Sequence, residues 1–311
     1  MPKKIKNLFY EKLTFENMLA AHKRARKNKA FKKEVIIFEM NLENNIINLI
    51  NNIKNDKYRL GKYRTFKIYE PKERIIKALP YVDRVVHQWY VEEFIKPYIV
   101  PRFVDTSFAC LTDKGTHKAV EQIEKYMRIY KRSNKNFWIL KCDISKYFYS
   151  INPNILFKIL QKYISDKKLL QFTKLLIFDS RETVGNVGIP IGNYTSQFFA
   201  NIYLNELDYF VKRTLKVKYY VRYMDDFILL LPSKKSCIYM KAKIEEFLKN
   251  KLDMQYTMQS LASWIGHSSH CNCYKLQTQI INSCNFLLSN KFYEDCEKEL
   301  IGYIENNTSC I

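Results

Sequence analysis

Long apolar runs and glycines are scarce in this chain of 311 residues, which has seven glycines in all. Its most apolar stretch, residues 227–231, stops at Pro232, far short of the ~20 apolar residues that a membrane-spanning helix needs. The first residues, MPKKIKNLFYEK, are basic without an apolar core, so we expect no secretory signal and no membrane contact. Eight cysteines without such a signal predict reduced thiols in the cytoplasm, not a disulfide framework.

Acidic residues are also few compared with basic ones. The chain has 52 Lys and Arg against 31 Asp and Glu, a formal net charge of +21. Such a chain attracts polyanions, of which nucleic acid is the most common. Because Lys, Asn and Ile are all abundant, as in proteins from AT-rich genomes, a basic surface that is merely solvated remains a second interpretation.

The spacing of apolar residues divides the chain into segments. Residues 1–60 are rich in Lys and Asn, and their helical spacing, clearest from Leu42 to Ile50, predicts an N-terminal helical extension. Two short strands are predicted around Pro71, followed by helices. From Phe137 to Leu252 the predicted order is strand, helix, helix, strand, strand, helix. This mixture of antiparallel strands and helices predicts an α+β fold.

Three aspartates are predicted to emerge at strand ends. Asp143 follows a compact apolar run that begins at Phe137, and Asp225 and Asp226 occupy a turn between two apolar strands. Each alone is explained as a strand-end cap or a turn residue. Together they indicate a metal site, because clustered carboxylates repel one another unless a divalent cation offsets their charge. Two Mg²⁺ ions between carboxylates can activate a 3′-hydroxyl and stabilise a leaving pyrophosphate.

The motifs around these aspartates stand in a distinctive order. The segment DISKYF (143–148) precedes YMDD (223–226), and GIPIGNYTSQ (188–197) lies between them. Four segments precede these: PKER (71–74), DRVV (83–86), SFAC (107–110) and KGTH (114–117). As a set over residues 60–255, they resemble the bacterial reverse transcriptases, most closely the diversity-generating-retroelement and group II intron types.

The resemblance implies a right-hand polymerase fold and a reaction. Fingers are expected at 61–136, a palm at 137–256 with a fingers segment near 160–185, and a short helical thumb remnant with C-terminal helices at 257–311. The implied reaction is RNA-directed DNA synthesis, in which dNTPs are added to the 3′-hydroxyl of a DNA or RNA primer on an RNA template. Its cofactor would be two Mg²⁺ ions, with Mn²⁺ as a substitute.

Site residues follow from the same resemblance. The implied catalytic residues are Asp143, Asp225 and Asp226, which would ligate the metals together with the backbone carbonyl of Ile144. The implied nucleotide-binding residues are Lys72, Arg74, Phe148, Gly192 and Gln197. The ring of Phe148 would press on the sugar and disfavour a 2′-hydroxyl. The pair Ser196–Gln197 resembles the enzymes of diversity-generating retroelements, which copy a template RNA with errors at adenines and usually have a small basic accessory protein.

The chain departs from the family after the second aspartate motif. The sequence contains no recognisable primer-grip motif and no three-helix thumb, and SLASWIGH (260–267) resembles the end of a thumb. The sequence therefore predicts that the primer grip and most of the thumb are missing. Two alternatives stay open beside the polymerase. One is a truncated, non-catalytic RNA-binding remnant, and the other is a phage-defence reverse transcriptase that needs no separate primer.

Overall fold

The computed structural model describes residues 4–69, 74–133, 137–178, 187–254 and 258–265. At residues 68, 74 and 258–265 the description covers the backbone alone. These residues form helices together with a two-stranded and a four-stranded antiparallel sheet, which confirms the predicted α+β class. No helix among them combines the length and the apolar character that crossing a bilayer requires.

The N-terminal residues form a helical layer, as predicted. Its helices are α1 (Phe9–Lys12), α2 (Phe15–Arg26), α3 (Lys33–Glu39) and α4 (Leu42–Lys54). The start of α2 is capped by Thr14, whose hydroxyl accepts a hydrogen bond from the backbone N–H of Asn17 at 3.2 Å. Helix α4 buries Ile46, Leu49 and Ile53 on one face, which matches the apolar spacing of its sequence.

A hairpin and a group of helices follow. The hairpin pairs β1 (Arg64–Ile68) with β2 (Arg74–Ala78). The helices are α5 (Tyr81–Tyr90), a π-helical turn (Val91–Ile95), α6 (Lys96–Tyr98), a 3₁₀ turn (Val100–Arg102) and α7 (Thr116–Ser133). Helix α5 packs against α2 and so joins the N-terminal layer to the rest of the molecule. The sequence predicts a helical end at Pro97, whereas the chain stays helical through it, because proline fits the first turn of α6.

The four-stranded sheet carries the predicted aspartates. Its strands are β3 (Phe137–Ile144), β4 (Tyr220–Tyr223), β5 (Asp226–Leu231) and β6 (Met258–Ile265). They lie in the order β4-β5-β3-β6, all antiparallel. Strand β3 has the bounds that its apolar run predicts.

The remaining helices lie between and after these strands. They are α8 (Tyr147–Ser150), α9 (Pro153–Tyr163), α10 (Lys167–Phe178), α11 (Tyr194–Tyr209), a π-helical turn (Phe210–Thr214) and α12 (Lys234–Leu252). Alternate side chains of β3 and β5 enter two apolar cores. One core contains Leu140 and Leu229 with the buried residues of α11, and the other contains Ile139 and Ile228 with α7. Both faces of the sheet are therefore covered.

One predicted boundary differs in the structure. The sequence predicts a thumb remnant from residue 257 onward, but Met258–Ile265 forms β6 and pairs with the whole of β3, from Phe137 opposite Ile265 to Ile144 opposite Met258. These eight residues therefore belong to the sheet. The rest of the predicted thumb remnant, 266–311, lies outside the described residues.

Candidate active site

The register of the sheet brings Asp143 and Asp226 to the same end of two neighbouring strands. Strands β3 and β5 pair up to Cys142 opposite Phe227, and the same register continued by one residue would set Asp143 opposite Asp226. Cross-strand partners project from the same face of a sheet. Asp225 directly precedes Asp226, in the two-residue turn between β4 and β5. The sequence predicts both aspartates in the turn, but Asp226 pairs with Tyr223 and is the first residue of β5.

A lysine shares this face of the sheet. Lys141 lies two residues before Asp143, and its Nζ is 3.7 Å from Oδ1 of Asp226. Both side chains are largely buried, with 19% and 22% of their surface exposed. They line a small cleft with Thr116, from the first turn of α7, and Tyr223. The carboxylate of Asp226 therefore has a cation beside it that the sequence analysis did not identify.

The donor set suits a hard divalent cation. The carboxylates of Asp143, Asp225 and Asp226 and the backbone carbonyl of Ile144 offer only oxygen, the ligand atom that Mg²⁺ prefers. Ile144 ends β3 and its side chain is buried, so it is the backbone that it can offer to a ligand. Within the described segments, no three His, Cys, Asp or Glu side chains are grouped closely enough to hold a metal ion. These four residues therefore suit a divalent cation through the chemistry of their oxygen donors and through their neighbouring positions along the backbone.

The turn between β4 and β5 has an unusual backbone. Met224, its first residue, has φ 54°, a value that favours glycine and that other residues adopt at a cost. Two-residue hairpin turns require a positive φ at this position because it matches the twist of the strands. The conformation of Met224 therefore sets the direction in which the chain reaches Asp225.

One short segment, residues 188–192, connects the two-stranded hairpin, α8 and α11. The N–H of Lys77 in β2 donates to the carbonyl of Ile191 at 2.9 Å, and the N–H of Ile189 donates to the carbonyl of Phe148 at 2.9 Å. Gly192 has φ 122°, and a Cβ on it would lie 2.6 Å from the Lys77 carbonyl oxygen. Only glycine allows this approach. The start of the GIPIGNYTSQ motif therefore joins β2 and Phe148 to the start of α11.

The structure describes some of the predicted nucleotide-binding residues in full and others in part or not at all. Phe148 is half-buried in α8, with its ring centroid 5.7 Å from that of Tyr147. Gln197 is exposed in the first turns of α11, where its neighbours Ser196 and Phe198 are buried. Arg74 begins β2 and is described through its backbone alone, and Lys72 lies outside the described residues. Phe148 and Gly192 thus adjoin the same connecting segment.

Two buried polar pairs join α11 to neighbouring elements, one to α5 and one to β4. His87 in α5 is 1% exposed, and its Nδ1 forms a hydrogen bond of 2.8 Å with the hydroxyl of Thr195, in the first turn of α11. Arg222 in β4 is fully buried and forms an ion pair with Asp208 of α11, with Nη2 2.6 Å from Oδ2. The sequence analysis missed both. The available signal was an arginine inside an apolar strand, since a buried charge requires a partner.

Comparisons with known proteins agree on one family. Residues 56–259 match the family described as reverse transcriptase (RNA-dependent DNA polymerase). The group II intron-encoded protein LtrA of Lactococcus lactis subsp. cremoris is 23% identical over 297 residues, covering 73% of this chain and 48% of the relative. Protein YkfC of Escherichia coli (strain K12) is 23% identical over 216 residues, covering 56% of each chain. This chain therefore spans about half the length of these relatives.

An apo telomerase from Candida tropicalis, truncated from its C-terminal domain, aligns with a TM-score of 0.46 at 15% identity, covering 70% of this chain and 54% of that one. The family match on the sequence is the decisive comparison, because it extends over well over half of the residues and contains all three aspartates. The α+β arrangement accordingly contains the fingers and palm of the right-hand polymerase fold. The chain belongs to the reverse transcriptase family.

Proposed function

We propose that this chain is an RNA-directed DNA polymerase that extends a primer 3′-hydroxyl with dNTPs on an RNA template. The observation that supports the proposal is the register of β3 against β5, which pairs Cys142 with Phe227, the direct neighbours of Asp143 and Asp226, with Asp225 in the adjoining turn. The +21 net charge suits a template–primer duplex, because neutralising backbone phosphates supplies much of the affinity for nucleic acid.

In this proposal Asp143, Asp225 and Asp226 hold two Mg²⁺ ions, with the carbonyl of Ile144 as a further ligand. When bound, the ions would activate the primer hydroxyl and neutralise charge on the leaving pyrophosphate. The ladder between β3 and β5, which reaches the residues next to Asp143 and Asp226, would fix the spacing of the two carboxylates. Lys141 holds the carboxylate of Asp226 on the face of the sheet that the cleft opens onto.

The nucleotide is proposed to bind between α8 and the start of α11. Phe148 would contact the sugar and exclude a 2′-hydroxyl, while Gly192 and the exposed Gln197 would face the base pair. Lys72 and Arg74 would reach the triphosphate from the hairpin, since cations near a departing pyrophosphate stabilise it. The backbone bonds of Ile189 and Lys77 support this arrangement, because they join Phe148 and β2 to one short segment.

Primer extension tests the proposal. Purified chain is given an RNA template, an annealed DNA primer, Mg²⁺ and labelled dNTPs, and Asp225→Asn is compared with wild type. Asp56→Asn is the matched control, because it makes the same chemical change in the exposed turn after α4, and at φ 59° asparagine is tolerated as well as aspartate.

Extension by wild type and Asp56→Asn, but not by Asp225→Asn, is the expected result. Equal extension by all three proteins would contradict the assigned role of Asp225. No extension by any of them, while RNA still binds, would contradict the proposal and favour the non-catalytic remnant. Omitting the primer distinguishes a phage-defence enzyme that starts synthesis without one. The proposal that the chain serves a diversity-generating retroelement with an accessory protein rests on the pair Ser196–Gln197. Errors at template adenines in the products would support it.

A further inference from the structure

The guanidinium of Arg222 connects the core of the molecule with the turn that carries Asp225. Five hydrogen bonds use its five N–H donors. Nε donates to Oδ1 of Asp208 at 2.8 Å and Nη2 to Oδ2 at 2.6 Å, a bidentate pair. Nη2 also donates to the hydroxyl of Ser107 at 3.1 Å, and Nη1 donates to Oδ1 of Asn201 at 3.0 Å. The fifth bond runs from Nη1 to the carbonyl oxygen of Met224 at 2.8 Å.

Four of these bonds go to rigid parts of the structure. Asp208 and Asn201 belong to α11, and both are fully buried, as is Ser107. The Nδ2 of Asn201 in turn donates to the carbonyl of Ala109 at 2.9 Å, which fixes its amide group. The backbone of Arg222 is held as well, because its N–H donates to Thr106 and its carbonyl accepts from Phe108. The guanidinium therefore has one position available to it.

The fifth bond ends at the peptide group between Met224 and Asp225. That peptide sets the direction in which Asp225 leaves the turn, and Met224 holds a φ of 54° that its side chain disfavours. A charged donor at 2.8 Å is among the stronger hydrogen bonds in proteins, and here the donor, Arg222, is fully buried. It is therefore placed to hold the turn in this conformation.

We propose that Arg222, fixed by Asp208, is a positioning residue that orients Asp225 for metal binding through its hydrogen bond to the Met224 carbonyl. The inference rests on the proposed function for the role of Asp225. Groups that orient metal ligands in this way typically change metal affinity roughly 10- to 100-fold when they are removed. The expected consequence is weaker metal binding with little change in the affinity for dNTPs.

The test compares Arg222→Lys with wild type in the full chain. Lysine keeps a positive charge beside Asp208, but a single ammonium replaces the three nitrogens of Arg222, two of which reach Asp208 while the third reaches the turn. Mn²⁺ is titrated in and free Mn²⁺ is followed by EPR, and primer extension is measured against Mg²⁺ concentration. We expect Mn²⁺ affinity to fall about tenfold, the half-saturating Mg²⁺ concentration to rise by a similar factor, and the KM for dNTP at saturating Mg²⁺ to be unchanged.

Tyr220→Phe is the matched control within the same network. The Tyr220 hydroxyl donates to Oδ1 of Asp208 at 2.7 Å, so the variant removes a buried hydrogen bond of the pair without touching the turn. We expect it to lower the melting temperature and leave Mn²⁺ affinity as in wild type. If Arg222→Lys does not fold, Arg222→Gln with Asp208→Asn replaces it, because exchanging both members of a buried ion pair is far less costly than breaking it.

The outcomes separate this inference from the proposed function. Wild-type Mn²⁺ affinity in a folded Arg222 variant overturns the inference, and so does an equal loss of affinity in Tyr220→Phe. If wild type binds Mn²⁺ and the Arg222 variant binds it less tightly, the inference holds even where no primer is extended. If wild type binds no Mn²⁺, both the inference and the proposed metal site fail.

Discussion

Acid should destabilise this protein through one buried histidine. His87 is 1% exposed, its Nδ1 is paired with Thr195, and within the described part of the chain its Nε2 has no hydrogen-bond partner. A proton added to Nε2 would create a buried charge with no acceptor, so burial lowers the pKa of His87 to about 3. In the unfolded chain the pKa of a histidine is about 6.5.

The direction in which stability changes with pH follows from these two pKa values. Below pH 6.5 the unfolded chain binds a proton at His87 that the folded chain does not bind until about pH 3. Stability from this residue is therefore complete above pH 6.5 and falls as the pH drops from 6.5 towards 3. Linkage gives a loss of about 2 kcal/mol between pH 8 and pH 5.

Urea unfolding of His87→Asn measures this loss. Asparagine places a polar atom near the position of Nδ1 and cannot take up a proton, so the variant should be less stable at pH 8 and lose about 2 kcal/mol less than wild type on going to pH 5. Tryptophan fluorescence reports the transition, and His117→Asn, on the exposed side of α7, is the control. An equal loss in wild type and His87→Asn would refute the reasoning.

Three further substitutions test the site. Gly192→Ala should lower the free energy of unfolding by at least ~1 kcal/mol and reduce primer extension, since its Cβ would meet the Lys77 carbonyl. The control Gly115→Ala, at φ 119° with nothing within 4 Å of the added Cβ, should lower stability alone. Equal effects of the two variants on extension would contradict this prediction. Phe148→Val should raise ribonucleotide use at least about tenfold in a competition assay with Tyr149→Val as control. Lys141→Gln should lower the half-saturating Mg²⁺ concentration about two- to fivefold by removing a cation 3.7 Å from Asp226, and an unchanged Mg²⁺ curve would exclude that role.

The parts of the fold that are encoded locally could be predicted from the sequence. The apolar run from Phe137 gives β3, and the two apolar runs on either side of the YMDD motif give β4 and β5. The positions of Asp143 and Asp225 follow, because a carboxylate directly after an apolar run can only be at the end of a strand or in a turn. Glycines 188 and 192 lie in the irregular segment before α11, both with positive φ, 102° and 122°.

Interactions between distant residues could not be predicted in the same way. Arg222 is buried because Asp208 faces it from another element, and nothing in the strand around Arg222 indicates which carboxylate that is. Lys141 appears in the sequence as an ordinary exposed position of a half-buried strand, and only the register of β3 against β5 shows that it lies beside Asp226. The roles of all the predicted site residues stay predictions: Asp143, Ile144, Asp225, Asp226, Lys72, Arg74, Phe148, Gly192 and Gln197.

Strand β6 bears on the choice between an enzyme and a remnant. It is encoded after the region where the primer grip and thumb were expected, yet it pairs with β3 along its full length, including Asp143 opposite Gln259 and Ile144 opposite Met258. The strand that contains Asp143 is therefore flanked on both sides, by β5 and by β6. Without β6, β3 would be an edge strand with unpaired backbone groups, a state that favours aggregation. Residues 258–265 thus brace the strand that carries Asp143, and this supports the proposed polymerase over the proposed remnant.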